Sequence, residues 1–252
     1  MRPGTGATGL SKGKKARSLR APRGTRHVPR RPAASAPAGP TADKPLLRGW
    51  IHGVATPAVL AAMVALAWRA STAAATVAVA VYAVSAVALF AVSAVYHLGT
   101  WGPRARRTLR SVDHADILLL IAGTYTPIAV LTLRGTARLV ILSVVWAAAL
   151  LGAVFRVAWA GLPRWVSVSL YVGLGWAAAF VVPQLLRGAG PAALGLMVAG
   201  GVLYTLGGLS YGLRRPDPWP RVFGFHEIFH ACTVAAFACQ YAAVSLIVWR
   251  AG

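Results

Sequence analysis

Two histidines four residues apart, His226 and His230, stand in the segment His226-Glu227-Ile228-Phe229-His230 towards the end of the chain. On a helix that spacing puts both imidazoles on one face, about one turn apart. Such a pair suits a single divalent cation. Zinc takes imidazole nitrogens readily, prefers four ligands and leaves one position to water in a reactive site. His97 is the expected third ligand, and Asp113 completes the site either directly or by holding the water in the fourth position. Ser93 lies one turn before His97 on the same face, where its hydroxyl could bond that water or an oxyanion. The pentad also fits the zinc-protease pattern H-E-x-x-H, whose glutamate is a general base toward the metal-bound water. Glu227 sits about 80° around the helix from the midpoint of the two histidines and could reach it. Taken alone, the pair could equally bond lipid phosphate or nearby carbonyls, so the metal reading depends on what converges with it.

The elements that must bring these residues together lie in lipid. Of 252 residues, 57% are hydrophobic and 12% charged, with a mean hydropathy of +0.62. A soluble domain of this size could not cover so much apolar surface with so few charges. Seven segments are long enough to cross a bilayer: 48–68, 72–97, 112–133, 137–155, 165–186, 191–213 and 223–249. Lipid offers the backbone no hydrogen bonds, so segments of this length are helices, and the ten-residue alternation of a membrane barrel is absent. Glycines such as Gly200, Gly201, Gly207 and Gly208 in the sixth segment let helices approach closely. Tryptophans Trp50, Trp101, Trp165, Trp219 and Trp249 fall at span ends and read as interfacial anchors. The expectation is an all-α membrane protein, with residues 47–252 forming a seven-helix transmembrane bundle.

Charge orients it. With the N-terminus cytoplasmic, nine arginines fall in cytoplasmic loops (Arg104, Arg106, Arg107 and Arg110; Arg156 and Arg164; Arg214, Arg215 and Arg221) and five on the other side. Twelve of the 26 basic residues precede Gly49. The positive-inside rule therefore favours a cytoplasmic N-terminus and an outside C-terminus. Residues 1–46 combine low hydrophobicity with high charge and are expected to be a disordered basic tail. Such a tail gains about 1 kcal/mol per basic side chain at an anionic leaflet; no motif suggests nucleic acid. Cys232 and Cys239, seven apart, are about 10 Å apart along a helix, beyond disulfide reach.

On this topology the ionisable residues converge. Five of six histidines lie at cytoplasmic helix ends, and Asp113, Asp116 and Glu227 join them. Ionisable groups inside membrane helices usually face the bundle interior and serve a function. Asp113 and Asp116 at a helix start are also what the helix dipole favours. His52 and His114 read as interfacial hydrogen-bonders rather than ligands. Pro127, in Gly123-Thr124-Tyr125-Thr126-Pro127, is expected to kink the third helix by freeing the Gly123 carbonyl.

Three motifs in order carry a resemblance: Ser93-Ala94-Val95-Tyr96-His97, then Asp113-His114-Ala115-Asp116-Ile117 leading to Ala122-Gly123-Thr124-Tyr125-Thr126-Pro127, then His226-Glu227-Ile228-Phe229-His230. Over about residues 48–249 the chain resembles the hemolysin III family of bacterial membrane proteins, relatives of the progestin and adipoQ receptors and, more distantly, of alkaline ceramidases. The resemblance implies a seven-helix bundle of the bacterial inner membrane with a zinc ion held by His97, His226 and His230. It also implies that Asp113 holds the zinc-bound water and that Ser93 is the family's serine. Asp116 stands where the family has a small or apolar residue, so a second carboxylate lies near the site. Three functions compete on this reading: a zinc-dependent hydrolase of lipid amides or esters, a non-enzymatic regulator of membrane-lipid homeostasis with structural zinc, and a pore-forming cytolysin. Membrane lipids are the expected partners, and no protein partner is named by the sequence.

Overall fold

A computed structural model of the chain describes residues 45–159 and 163–251. The expected disordered tail falls on residues 1–44, outside the described residues; Pro45 and Leu46, counted with it, are described, and the Leu46 N–H donates to the Arg221 carbonyl. The described residues form helices α1 (Trp50–Arg69), α2 (Ala73–Leu98), α3 (Pro103–Thr132), α4 (Gly135–Ala158), α5 (Arg164–Gly175), α6 (Val182–Leu213) and α7 (Phe225–Ala251). A short 3-10 stretch, Trp176–Val181, joins α5 to α6. Large apolar side chains such as Val64, Trp68, Val84, Leu151, Val154 and Phe180 point outward, as a lipid solvent permits. The chain is an all-α, multi-pass membrane protein.

Seven separate spans are not what the structure contains. Six helical runs are long and apolar enough to cross a membrane, and one of them, Arg164–Leu213, covers both the fifth and the sixth expected span in 50 residues. The turn expected between them keeps helical hydrogen bonding and departs from helical dihedrals only at Gly190 (φ 81°, ψ 167°). There the chain folds back. Trp176 Nε1 donates to Thr205 Oγ1 at 3.0 Å, and Gly208 and Gly212 both lie against Val168. Gly190 is required at this point: its φ belongs to glycine, and the Arg250 guanidinium occupies the place of a β-carbon while bonding the Ala189 carbonyl. Gly190→Ala is expected to cost about 2 kcal/mol or more and to lower the melting midpoint of the detergent-solubilised protein by several degrees. An unchanged midpoint would contradict this account of the turn.

The third helix also differs from expectation. It begins at Pro103, not near 112, with proline at its first position, where the missing N–H is harmless. Arg104, Arg106, Arg107 and Arg110 are therefore helical and exposed rather than in a loop; arginine is a good helix former, and a helix may run past the lipid where water meets its side chains. Asp113 and Asp116 consequently lie about three turns inside α3, beyond the reach of its N-terminal dipole. The helix stays helical through Pro127 to Thr132. It is the central element, with 67% of its apolar window buried against 22% for α1 and α4.

Close packing sets the remaining helices. A β-carbon at Gly200 would meet Gln240 at 2.7 Å, and one at Gly207 would meet the Cys232 β-carbon at 2.8 Å. These glycines bring α6 against α7, as their run in the sequence suggests. Both cysteines are free.

Candidate metal centre

Ser93 and His97 come from the last turns of α2, and His226 and His230 from the first turns of α7. The two helix ends meet. His97 and His230 are buried and His226 is partly so. The Nε2 atoms of His97 and His226 are 3.3 Å apart, and ligand nitrogens of all three imidazoles lie within 4.8 Å of one another. A tetrahedron with metal–nitrogen bonds of about 2.05 Å has an edge of about 3.3 Å, so these donors fit one cation. The group could hold a metal ion.

Asp113 stands beside this group. Its Oδ2 is 3.8 Å from His97 Nε2 and 3.5 Å from His114 Nδ1, and Ser93 interacts with the same carboxylate. His114 is buried rather than interfacial. Both its nitrogens are engaged: Nδ1–H donates to the Arg110 carbonyl at 2.8 Å, and Nε2 accepts from the Tyr211 hydroxyl at 3.0 Å. That pattern sets the tautomer and leaves no lone pair for a metal.

His52 is likewise not interfacial. It is 2% exposed, its ring stacked on that of His230 at 4.0 Å and 10°, with Phe90 edge-on at 4.9 Å. Its position two residues into α1 suggested exposure. The segment before α1 instead folds over this end of the bundle, with Leu46 and Leu47 donating to the carbonyls of Arg221 and Val222. Tyr211, absent from the sequence reading, also belongs to the site, its ring 5.5 Å from that of His226. A tyrosine near Gly207 and Gly208, at the same end of the sixth span as the histidines, was the available signal.

Glu227 occupies a different role in space from His226 and His230. It is 1% exposed; Oε1 receives the Arg48 guanidinium and Oε2 accepts the Gly224 N–H at 2.9 Å. The carboxylate thus ties the segment before α1 to the start of α7. Arg48→Met would leave a buried, unpaired carboxylate, and the expected loss is about 3–5 kcal/mol. Adding Glu227→Gln should recover most of that loss in thermal denaturation; no recovery would argue against the pairing. Asp116 is 5% exposed with an unpartnered Oδ2 and does not line the cavity at the histidines.

That cavity, about 30 Å³, is lined among others by Ser93, Asp113, Tyr211, His226 and His230, room for a cation and a water. Leu89, Ile117, Tyr171, Gly208, Phe229 and Thr233 also line a second, apolar cavity of about 160 Å³ between α3, α5, α6 and α7. The polar site therefore adjoins a lipophilic one.

Comparison with known proteins follows the same residues. The profile of the family described as Haemolysin-III related matches residues 41–241. The chain belongs to the hemolysin III family. Among its relatives, the Hemolysin-3 of Bacillus cereus is 30% identical over 193 residues, 75% of this chain and 85% of that protein. The Hemolysin-3 homolog of Bacillus subtilis (strain 168) is 30% identical over 138 residues, 55% of this chain and 62% of that protein, so this match spans less than two thirds of the relative's length. Each of the three hemolysin III motifs read from the sequence lies inside the matched region, and they supply Ser93, His97, Asp113, His226 and His230 to one end of the bundle.

Proposed function

We propose that this protein is a hydrolase of lipid amide or ester bonds in the bacterial inner membrane, working with a zinc ion held by His97, His226 and His230. One observation carries the reading: three imidazoles from α2 and α7 converge to within 4.8 Å at a cavity that shares its wall with an apolar one. Zinc, when bound, supplies a Lewis acid that lowers the pKa of water to about 7. Asp113, beside His97, accepts the proton of the attacking water and returns it to the leaving group. The Ser93 hydroxyl donates to the oxyanion that forms at the lipid carbonyl. His114, locked by Arg110 and Tyr211, packs beside the Asp113 carboxylate, its Nδ1 3.5 Å from Oδ2. Glu227, with both oxygens taken, is assigned to holding α7 rather than to moving protons. The apolar cavity receives the acyl chain, which enters between helices.

The topology belongs to the same proposal. A straight helix of 50 residues would be about 75 Å long, far more than a bilayer core of about 30 Å. We read Arg164–Leu213 as crossing twice, turning at Gly190. Seven crossings then leave the N-terminus cytoplasmic and the C-terminus outside, as the arginine distribution favours, with the basic tail against the anionic leaflet. Lipids incubated with the pure protein, with and without chelator, test the reading: mass spectrometry should find a metal-dependent cleavage product.

A second reading, a non-enzymatic lipid regulator with structural zinc, draws on the same joining of α2 to α7. It expects chelation to lower stability without any lipid product. A cytolytic pore, suggested by the relatives' names, is disfavoured by the apolar walls of the larger cavity. Dye release from liposomes by the pure protein would revive it.

A further inference from the structure

Two arginines lie near the metal centre without the partners that buried guanidinium groups need. Arg156, in the last turn of α4, is 6% exposed, and its Nε and Nη1 are buried with no hydrogen-bond partner. Arg164 opens α5, its guanidinium carbon 5.2 Å above the Tyr211 ring, and its Nη1 is also buried and unpartnered. Both act electrostatically on His114, joined there by Arg110. Arg156 acts in addition on Asp113 and Tyr171. Among the described residues, no carboxylate forms an ion pair with either arginine; the pairs found are Arg48 with Glu227, and Asp113 with His97 and His114.

A guanidinium has only donors and never gives up its charge. Burying it costs several kcal/mol unless an anion and hydrogen bonds answer it. His114 cannot answer, because both its nitrogens are engaged. Asp113 offsets part of the charge, but it already serves His97 and His114. The balance at this end of the bundle is therefore cationic, and the donors left over, Nε and Nη1 of Arg156 and Nη1 of Arg164, are charged N–H groups of the kind that anion oxygens satisfy.

We infer that Arg156 and Arg164 form an anion subsite that takes the phosphate of a lipid headgroup beside the metal centre. On the topology proposed above, Arg156 and Arg164 belong to the cytoplasmic group of arginines, at the side where that reading places the headgroups. The inference rests on the hydrolase proposal only in naming its substrate, a phosphate-bearing lipid. Binding itself requires no turnover.

The full-length protein carrying Asp113→Asn, reconstituted in nanodiscs, separates the two questions because it needs no catalysis. Native mass spectrometry with dioleoyl phosphatidic acid, with diacylglycerol of the same chains, and with inorganic phosphate as competitor reads the subsite. Phosphatidic acid should bind at least about tenfold more tightly than diacylglycerol. Arg156→Gln should abolish that preference, and Arg164→Gln should weaken it several-fold. Arg156→Lys, which keeps the charge but loses the separate Nε and Nη1 donors, should fall between, and metal content shows that each variant remains folded. Equal binding of phosphatidic acid and diacylglycerol would overturn the proposal, as would full preference in an Arg156→Gln protein that keeps its metal. Displacement by inorganic phosphate at an affinity matching that of the lipid would overturn the headgroup as the source and leave free phosphate as the ligand. A preserved, Arg156-dependent preference together with no lipid turnover by the wild-type protein at full metal content would count against the hydrolase and for the subsite.

Discussion

Replacing His230 with alanine is expected to strip the protein of metal. His230 is 3% exposed, lies between the His52 ring and the other two imidazoles, and supplies one of three converging donors. A cation left with two imidazoles in a water-accessible cavity loses affinity by far more than the 10–100-fold typical of losing an outer partner, so a decrease of at least about 100-fold is expected. Elemental analysis after purification and dialysis against a mild chelator reads the effect: about one zinc per chain in the wild type and close to none in the variant. Full metal content in His230→Ala would remove the three-imidazole site, and with it the catalytic proposal. The membrane fold would stand.

The second large effect belongs to Asp113. Asparagine matches aspartate in shape and keeps a hydrogen-bonding group near Ser93 and His114, but it cannot accept a proton. Asp113→Asn should therefore retain metal while lipid turnover falls by about 10²–10⁴-fold, the usual contribution of a positioned general base. The comparison is made at matched metal content, by mass spectrometry of the lipid product. Equal turnover would end the proton-transfer role. Loss of metal along with activity would instead make Asp113 a ligand, which its 3.8 Å separation from His97 Nε2 also permits.

Hydropathy alone located the lipid-embedded segments, because a bilayer forces any long apolar stretch into a helix whatever its neighbours do. The spacings of Ser93 with His97 and of His226 with His230 were legible for a similar reason: 3.6 residues per turn decides which side chains share a face of one helix. That arithmetic stops at the helix surface. It could not tell that His52 stacks on His230, that Arg48 takes the Glu227 carboxylate, or that Tyr211 reaches His114. Each of these depends on how one helix is rotated and placed against another. Nor could hydropathy see α3 begin at Pro103 or α5 and α6 join in one helical run folded at Gly190. Arginines can ride on a helix outside lipid, and a turn carried by a single glycine leaves almost no gap in the apolar pattern.

What the linear order of residues decides here is the solvent, the kind of secondary structure and the donors available for a cation, since these follow from local composition and period. What required the folded chain is the meeting of α2 with α7, the removal of Glu227 from the cavity and the pairing of its carboxylate with Arg48. These are contacts between segments far apart in the chain, and they are chosen by packing that minimises unpaired buried charge and empty space over the whole bundle.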